Sequence, residues 1–125
     1  MKRREIKKTL RLSQVDYYRM HIMIVSSFLP VRLTDREIDV LSQFLSFKGE
    51  FAEDRFGPSQ RKIVMDRLGM KPPNLSKHLK TLRQAGVIKG GKVIDHFVPH
   101  SDVQLYKFQL VNEEETNASQ TQEKG

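Results

Sequence analysis

The chain has 125 residues, 38% of them hydrophobic and 30% charged, with no cysteine and a formal net charge of +7. That length supports one hydrophobic core and hardly two, and the missing cysteines exclude a disulfide framework and thiolate metal ligands. The positive balance makes a polyanion the natural class of partner.

The opening stretch, MKRREIKKTLRL, places six Lys or Arg against Glu5 within its first eleven residues, with Ile6, Leu10 and Leu12 among them. Residues 1–14 read as a basic arm or as a strand. A basic arm either follows a DNA groove or simply solubilises the start, and both readings stay open. The start is basic like an export signal, but Asp16 and Arg19 interrupt the apolar stretch beyond it and no small-residue cleavage site is visible. A cytoplasmic, nucleoid-associated protein is expected.

From Val15 to Leu29 the sequence is rich in Tyr, Met, Ile, Val and Phe and is closed by Pro30. Its uninterrupted apolar part is far shorter than the roughly 20 residues of a membrane span, so no membrane partner is expected. It predicts a helix for protein contact. One reading is a core helix packed over the rest of the domain, the other a homodimerisation helix. Tyr17, Tyr18, Met20, Ile22, Met23, Ile24, Val25 and Phe28 point in more directions than one core face needs, so both can hold.

In LTDREIDVL, from Leu33 to Leu41, Thr34 followed by Glu37 is a capping box. Ile38, Leu41, Phe44 and Leu45 then line one helical face. The connection KGEFAEDRFGPS predicts a loop anchored by burial of Phe51 and Phe56, with a short helical turn around 51–55 as the alternative. Gly57 and Pro58 set up Ser59 as the cap of the next helix.

Arg61 to Val93, RKIVMDRLGMKPPNLSKHLKTLRQAGVIKGGKV, holds helix, tight turn, second helix and basic hairpin in immediate succession. Val64 and Leu68 share a face, Gly69 suits a helix stop, and Pro72 and Pro73 can stand only at a helix start. The second helix is expected over 73–85, with Leu75, Leu79 and Leu82 inward and Asn74, Lys77, Thr81 and Gln84 on the other faces. Gly86 ends it. Val87 and Ile88, then Val93 and Ile94, surround Gly90-Gly91 and predict a hairpin over 87–96 with Lys89 and Lys92 at its tip.

Past Pro99, residues 103–111 alternate in the manner of a further strand. Residues 112–125, NEEETNASQTQEKG, hold no large apolar side chain, carry a charge of −3, and predict a disordered acidic and polar tail. The chain therefore divides into an arm (1–14), a domain (15–111) and a tail (112–125). The expected class is α+β, a winged helix-turn-helix of three to four helices with a small antiparallel β-wing.

The residues LGMKPPNLSKHLKTLRQAGVI resemble the winged helix-turn-helix regulators of bacteria and their phages. The positions that carry the resemblance are Leu68, Gly69, Met70, Leu75, Ser76, His78, Leu79, Leu82, Gly86, Val87 and Ile88. It implies a winged fold over roughly 34–97 and double-stranded DNA as partner, with His78 facing partly toward the duplex. LTDREIDVL is also similar to the opening of LuxR-type DNA-binding domains, but the long connection from Lys48 to Pro58 and the glycine hairpin depart from that pattern.

Charge supports the same partner. Between Ser59 and Lys92 there are nine Lys or Arg against Asp66 alone, a local balance of +8. The expected interface sets the start of the helix at Pro73 against the duplex, with Asn74 paired to a base edge and Lys77 and His78 on guanine or phosphate. Thr81 offers a hydroxyl or methyl contact, and Lys71, Lys80 and Arg83 anchor phosphates. Ser59 and Gln60 present backbone N–H groups to a phosphate, and the wing lysines Lys89 and Lys92 touch the backbone.

Nothing indicates an enzyme or a cofactor. His21, His78, His96 and His100 are scattered, and no phosphate-cradling glycine loop, GxSxG elbow or HExxH helix is present. The expected function is sequence-specific DNA binding as a transcriptional regulator, with a plasmid or phage replication or partition factor, or a winged-helix protein adaptor, as the alternatives.

Overall fold

The computed structural model describes residues 4–114. Helix α1 runs Gln14–Phe28, started by the Ser13 side chain, which accepts from the Asp16 N–H. Helix α2 runs Asp35–Leu45, and its capping box is complete: Thr34 Oγ1 accepts from the Glu37 N–H at 3.2 Å, while the Thr34 N–H donates to Glu37 Oε1 at 3.0 Å. A single turn, α3, covers Glu50–Glu53. Helices α4 (Pro58–Leu68) and α5 (Pro72–Gln84) come next, then strands β1 (Ile88–Lys89) and β2 (Lys92–Val93) and a 3-10 turn at Asp95–Phe97. No helix among the described residues is long and apolar enough to cross a membrane.

Helix α2 is the centre of the molecule. It packs against α1, α4 and α5, and it buries Ile38, Val40, Leu41, Phe44 and Leu45. Burial of such side chains stabilises by ~1.5–3 kcal/mol each against exposure. From α1 come Tyr18, Ile22 and Val25; from α4, Val64; from α5, Leu75, Leu79 and Leu82; and beyond the wing, Phe97. Helix α5 is thus held by the three leucines expected to face inward.

Two glycine-based ends set the geometry around α5. Gly69 takes φ 58° and the Met70 N–H reaches back to Met65 O, which turns the chain sharply from α4 into α5. At the far end the N–H groups of Gly86 and Val87 return to Arg83 O and Leu82 O, the paired bonds of a Schellman motif. The hairpin pairs Ile88 with Val93 and Lys89 with Lys92 across Gly90-Gly91, both at positive φ.

Several expectations are corrected. Helix α4 begins one residue before Ser59: its cap is Gly57 and Pro58 fills the first position, so Ser59 lies inside the first turn. Helix α5 likewise starts at Pro72, with Lys71 as cap. Phe56 packs on Phe44 at a ring distance of 4.7 Å, but Phe51 stays 49% exposed against Phe47, because the α3 turn holds it at the rim. Neither the arm within 4–13 nor residues 103–111 form strands. The alternation of the latter is used differently: Tyr106 meets His21 and Phe108 stacks on Phe28 at 4.9 Å, so this extended segment lies along α1 as a strap. Of the expected tail, residues 112–114 are exposed and the rest falls outside the described residues, as do the first three residues of the arm.

Candidate nucleic-acid interface

Helix α5 turns its three leucines into the core and leaves the remaining half of its circumference outward. At 3.6 residues per turn, Asn74, Lys77, His78 and Thr81 form one stripe; Lys80 and Arg83 lie roughly 110° to 170° further round. Asn74, Lys77, Lys80 and Arg83 are exposed, and His78 and Thr81 half-buried. The Thr81 hydroxyl donates to Lys77 O at 3.1 Å, so outward it offers an acceptor and a methyl group. Asn74, Lys77 and His78 have no side-chain hydrogen bond among the described residues and are free to meet a ligand. Pro73 is exposed beside them.

The start of α5 lacks the open N–H groups usual at a helix start. Pro72 and Pro73 have no N–H, and the N–H groups of Asn74 and Leu75 already donate to Lys71 O at 3.0 and 3.2 Å. No N–H in the first turn of α5 itself is left open for a phosphate. What the helix end supplies is its dipole field together with the exposed Lys71 at the cap position. An anion meeting this end would therefore be held by side chains.

The start of α4 is the reverse case. Arg61 is the first residue of α4 whose N–H finds a carbonyl, Gly57 O at 2.9 Å, leaving the N–H groups of Ser59 and Gln60 open. Two features crowd that end. A Cβ placed on Gly57 would lie 2.5 Å from Asp54 Oδ2, so a carboxylate already stands at the opening, and the buried Gln60 side chain is tied by Nε2 to Phe51 O at 3.2 Å. Gln60 thus offers only its backbone.

The wing carries Lys89 and Lys92 as a cross-strand pair of exposed like charges at the hairpin tip. Such a pair repels itself and gains from an anion between or beside it. The structure therefore gathers Lys71, Asn74, Lys77, His78, Lys80, Thr81 and Arg83 on one helix, with Lys89 and Lys92 on the hairpin directly after it. Ser59 and Gln60 stand on the neighbouring helix.

The half-buried Arg55 and the buried His21 carry structural roles that the sequence did not announce. Arg55 donates through Nη1 to the carbonyls of Phe44, Leu45 and Phe47 at 3.0–3.2 Å, closing the end of α2. His21 is buried in the face of α1, with Nδ1 2.5 Å from the Tyr106 hydroxyl and Nε2 lacking a partner in hydrogen-bond geometry among the described residues. Burial holds its pKa below the ordinary value; the nearby backbone of His96 and Phe97 acts in the opposite sense but more weakly. A basic residue in a loop and a histidine in an apolar helix carry little local signal of either role. His100 pairs with Asp95 at 2.7 Å, and no group of metal-ligating side chains occurs among the described residues.

A helix-turn-helix whose second helix leads at once into a β-hairpin is a winged helix-turn-helix. Residues 64–89, from the second half of α4 through α5 to β1, match the model of the family described as bacterial regulatory protein, arsR family. No curated protein and no solved structure matches the chain. Over those residues the chain is similar to the regulatory helix-turn-helix of that family, which supports a DNA-binding transcriptional regulator.

Proposed function

We propose that the chain reads a defined double-stranded DNA sequence, with α5 in the major groove and the wing at 87–96 on the adjoining backbone. The observation that carries this is the stripe of Asn74, Lys77, His78 and Thr81, outward on a helix held by three buried leucines. An amide at Asn74 can pair bidentately with adenine, and Lys77 reaches guanine or phosphate. Lys71, Lys80, Arg83, Lys89 and Lys92 flank the stripe and serve phosphates, with the open N–H groups of Ser59 and Gln60 as a further backbone contact. The working unit is residues 15–111, with the basic arm and the acidic tail outside it, and such a regulator resides with the nucleoid.

We further propose a homodimer through α1, on the ground that Val15, Met23 and Phe28 of that helix remain exposed. Two copies then read two half-sites related by a two-fold axis.

Selection of random duplex DNA on the purified full chain at near-physiological salt tests the reading. A palindromic consensus is the expected result. Lys77→Ala should weaken binding to that site by about 1–3 kcal/mol, whereas Lys92→Ala should lower the salt slope by roughly one unit with sequence preference intact. A retained pool without consensus, or variants that bind like the parent, would refute site reading by α5.

A further inference from the structure

Away from the DNA-facing side, a cavity of about 380 Å³ opens between the end of α2, the α3 turn and the segment 98–102. That volume is in the lower range of small-molecule sites, roughly 300–1,000 Å³. Tyr18, Leu45, Phe47 and Val98 give it apolar walls, and Lys48 and Arg55 bring positive charge to it.

Arg55 is the distinctive group. Its Nη1 is spent on three carbonyls, but Nε and Nη2 have no partner among the described residues and are not sealed from solvent. A guanidinium carries five N–H donors in a planar fork, so three of them are left to face outward. No carboxylate lies within ion-pair distance of Arg55 among the described residues. Burial disfavours its charged form, lowering its pKa from the ordinary guanidinium value, and an anion would offset that cost. Asp102 is the acid of the lining, set against Lys48 and Arg55, which leaves the cavity cationic.

We infer that this cavity is a binding site for a small organic carboxylate, its carboxylate held by the free edge of Arg55 and by Lys48 and its apolar body against Tyr18, Phe47 and Val98. A carboxylate matches the planar fork bidentately, and the walls reward an apolar remainder that a bare inorganic anion lacks. The site lies apart from α5, so it stands or falls independently of DNA recognition.

The test is a titration of the full-length, 15N-labelled protein with benzoate in the absence of DNA, monitored at the Arg55 Nε–H signal and the amides of Lys48, Ser101 and Asp102. Benzamide and inorganic phosphate serve as parallel probes. Saturable shifts at these residues with benzoate, weak or absent with benzamide, are expected. Arg55→Gln should abolish them. Because that change also loosens the end of α2, Lys48→Gln is the second variant, with an expected loss of affinity of about two- to fivefold. An equal response to benzamide would mean an apolar hole without anion recognition, and shifts with phosphate alone would remove the carboxylate assignment. No saturable shift at millimolar benzoate would overturn the site altogether.

Discussion

At the scale of single residues, His21 shows how a polar group in the core becomes a liability when the pH falls. It is 5% exposed on the inner face of α1, touches the Tyr106 hydroxyl with one ring nitrogen and has no partner in hydrogen-bond geometry at the other among the described residues. Burial lowers its pKa in the folded chain below the ordinary 6.5, so below that pH the unfolded chain binds a proton that the folded one resists. Its contribution is therefore complete above about 6.5 and is lost as the pH falls, at a limiting slope of about 1.4 kcal/mol per pH unit. Denaturant unfolding between pH 7.5 and 5 should show declining stability over that range, with a shallower decline for His21→Phe. Parallel curves for the two proteins would assign the pH dependence to other groups. The Tyr106 contact also fastens the strap to α1, so acid should loosen residues 101–110 before the helix-turn-helix, readable as earlier loss of amide protection there.

At the scale of elements, the starts of α2 and α5 answer different demands. Thr34 and Glu37 close α2 with a complete capping box, while α5 begins on Lys71 with no side-chain cap and two prolines behind it. Lys71 has the extended backbone of a cap residue, φ −87° and ψ 154°, yet its side chain is a cation. With Pro73 lacking an N–H and the Asn74 N–H already bonded to Lys71 O, a capping side chain would find no donor here, so a cation at the cap position gives up little cap energy. Lys71→Ser should leave the stability of the fold within about 0.5 kcal/mol of the parent while lowering the salt slope of DNA binding by roughly one unit. An unchanged salt slope, or a stability change well beyond that range, would refute this reading of Lys71. The same local chemistry explains what was legible in the sequence. Capping box, Gly69, the proline pair, the leucine stripe and Gly90-Gly91 each act within a few residues, so α2, α4, α5 and the wing can be read without any tertiary contact. Residues 103–111 cannot. Alternation says that two faces of an extended segment differ, but only tertiary structure decides whether a neighbouring strand or a helix meets one of them; here Tyr17, His21 and Phe28 of α1 do so, through side chains and a bond from the Tyr17 hydroxyl to Ser101 O at 2.6 Å. Arg55 escaped for the related reason that its three acceptors lie eight to eleven residues upstream, two at the end of α2 and one just past it.

At the scale of the whole molecule, one recognition helix and one short wing make few phosphate contacts, and affinity for a defined site gains most from a second copy. The stripe proposed to meet DNA is on α5, whereas Val15, Met23 and Phe28 of α1 and Leu105 and Leu110 of the strap are exposed apolar side chains elsewhere, Leu110 to 98%. Under the proposed dimer, two molecules would join through α1 and leave both α5 helices uncovered. Phe28 is a poor probe of this, since its ring also holds Phe108 and a change there would release the strap. Met23 and Val15 are cleaner: neither belongs to the buried core, and both stand on α1. The double substitution Val15→Glu with Met23→Glu should leave the unfolding midpoint within a few degrees of the parent, convert the sedimenting species from dimer to monomer, and reduce affinity for a palindromic site by about a hundredfold or more. Binding to an isolated half-site should hardly change, because α5 and the wing are untouched. That last comparison separates the two claims: loss on both sites would place α1 in DNA contact, whereas a parent that sediments as a monomer on its own palindrome would leave the exposed face of α1 without the role assigned to it.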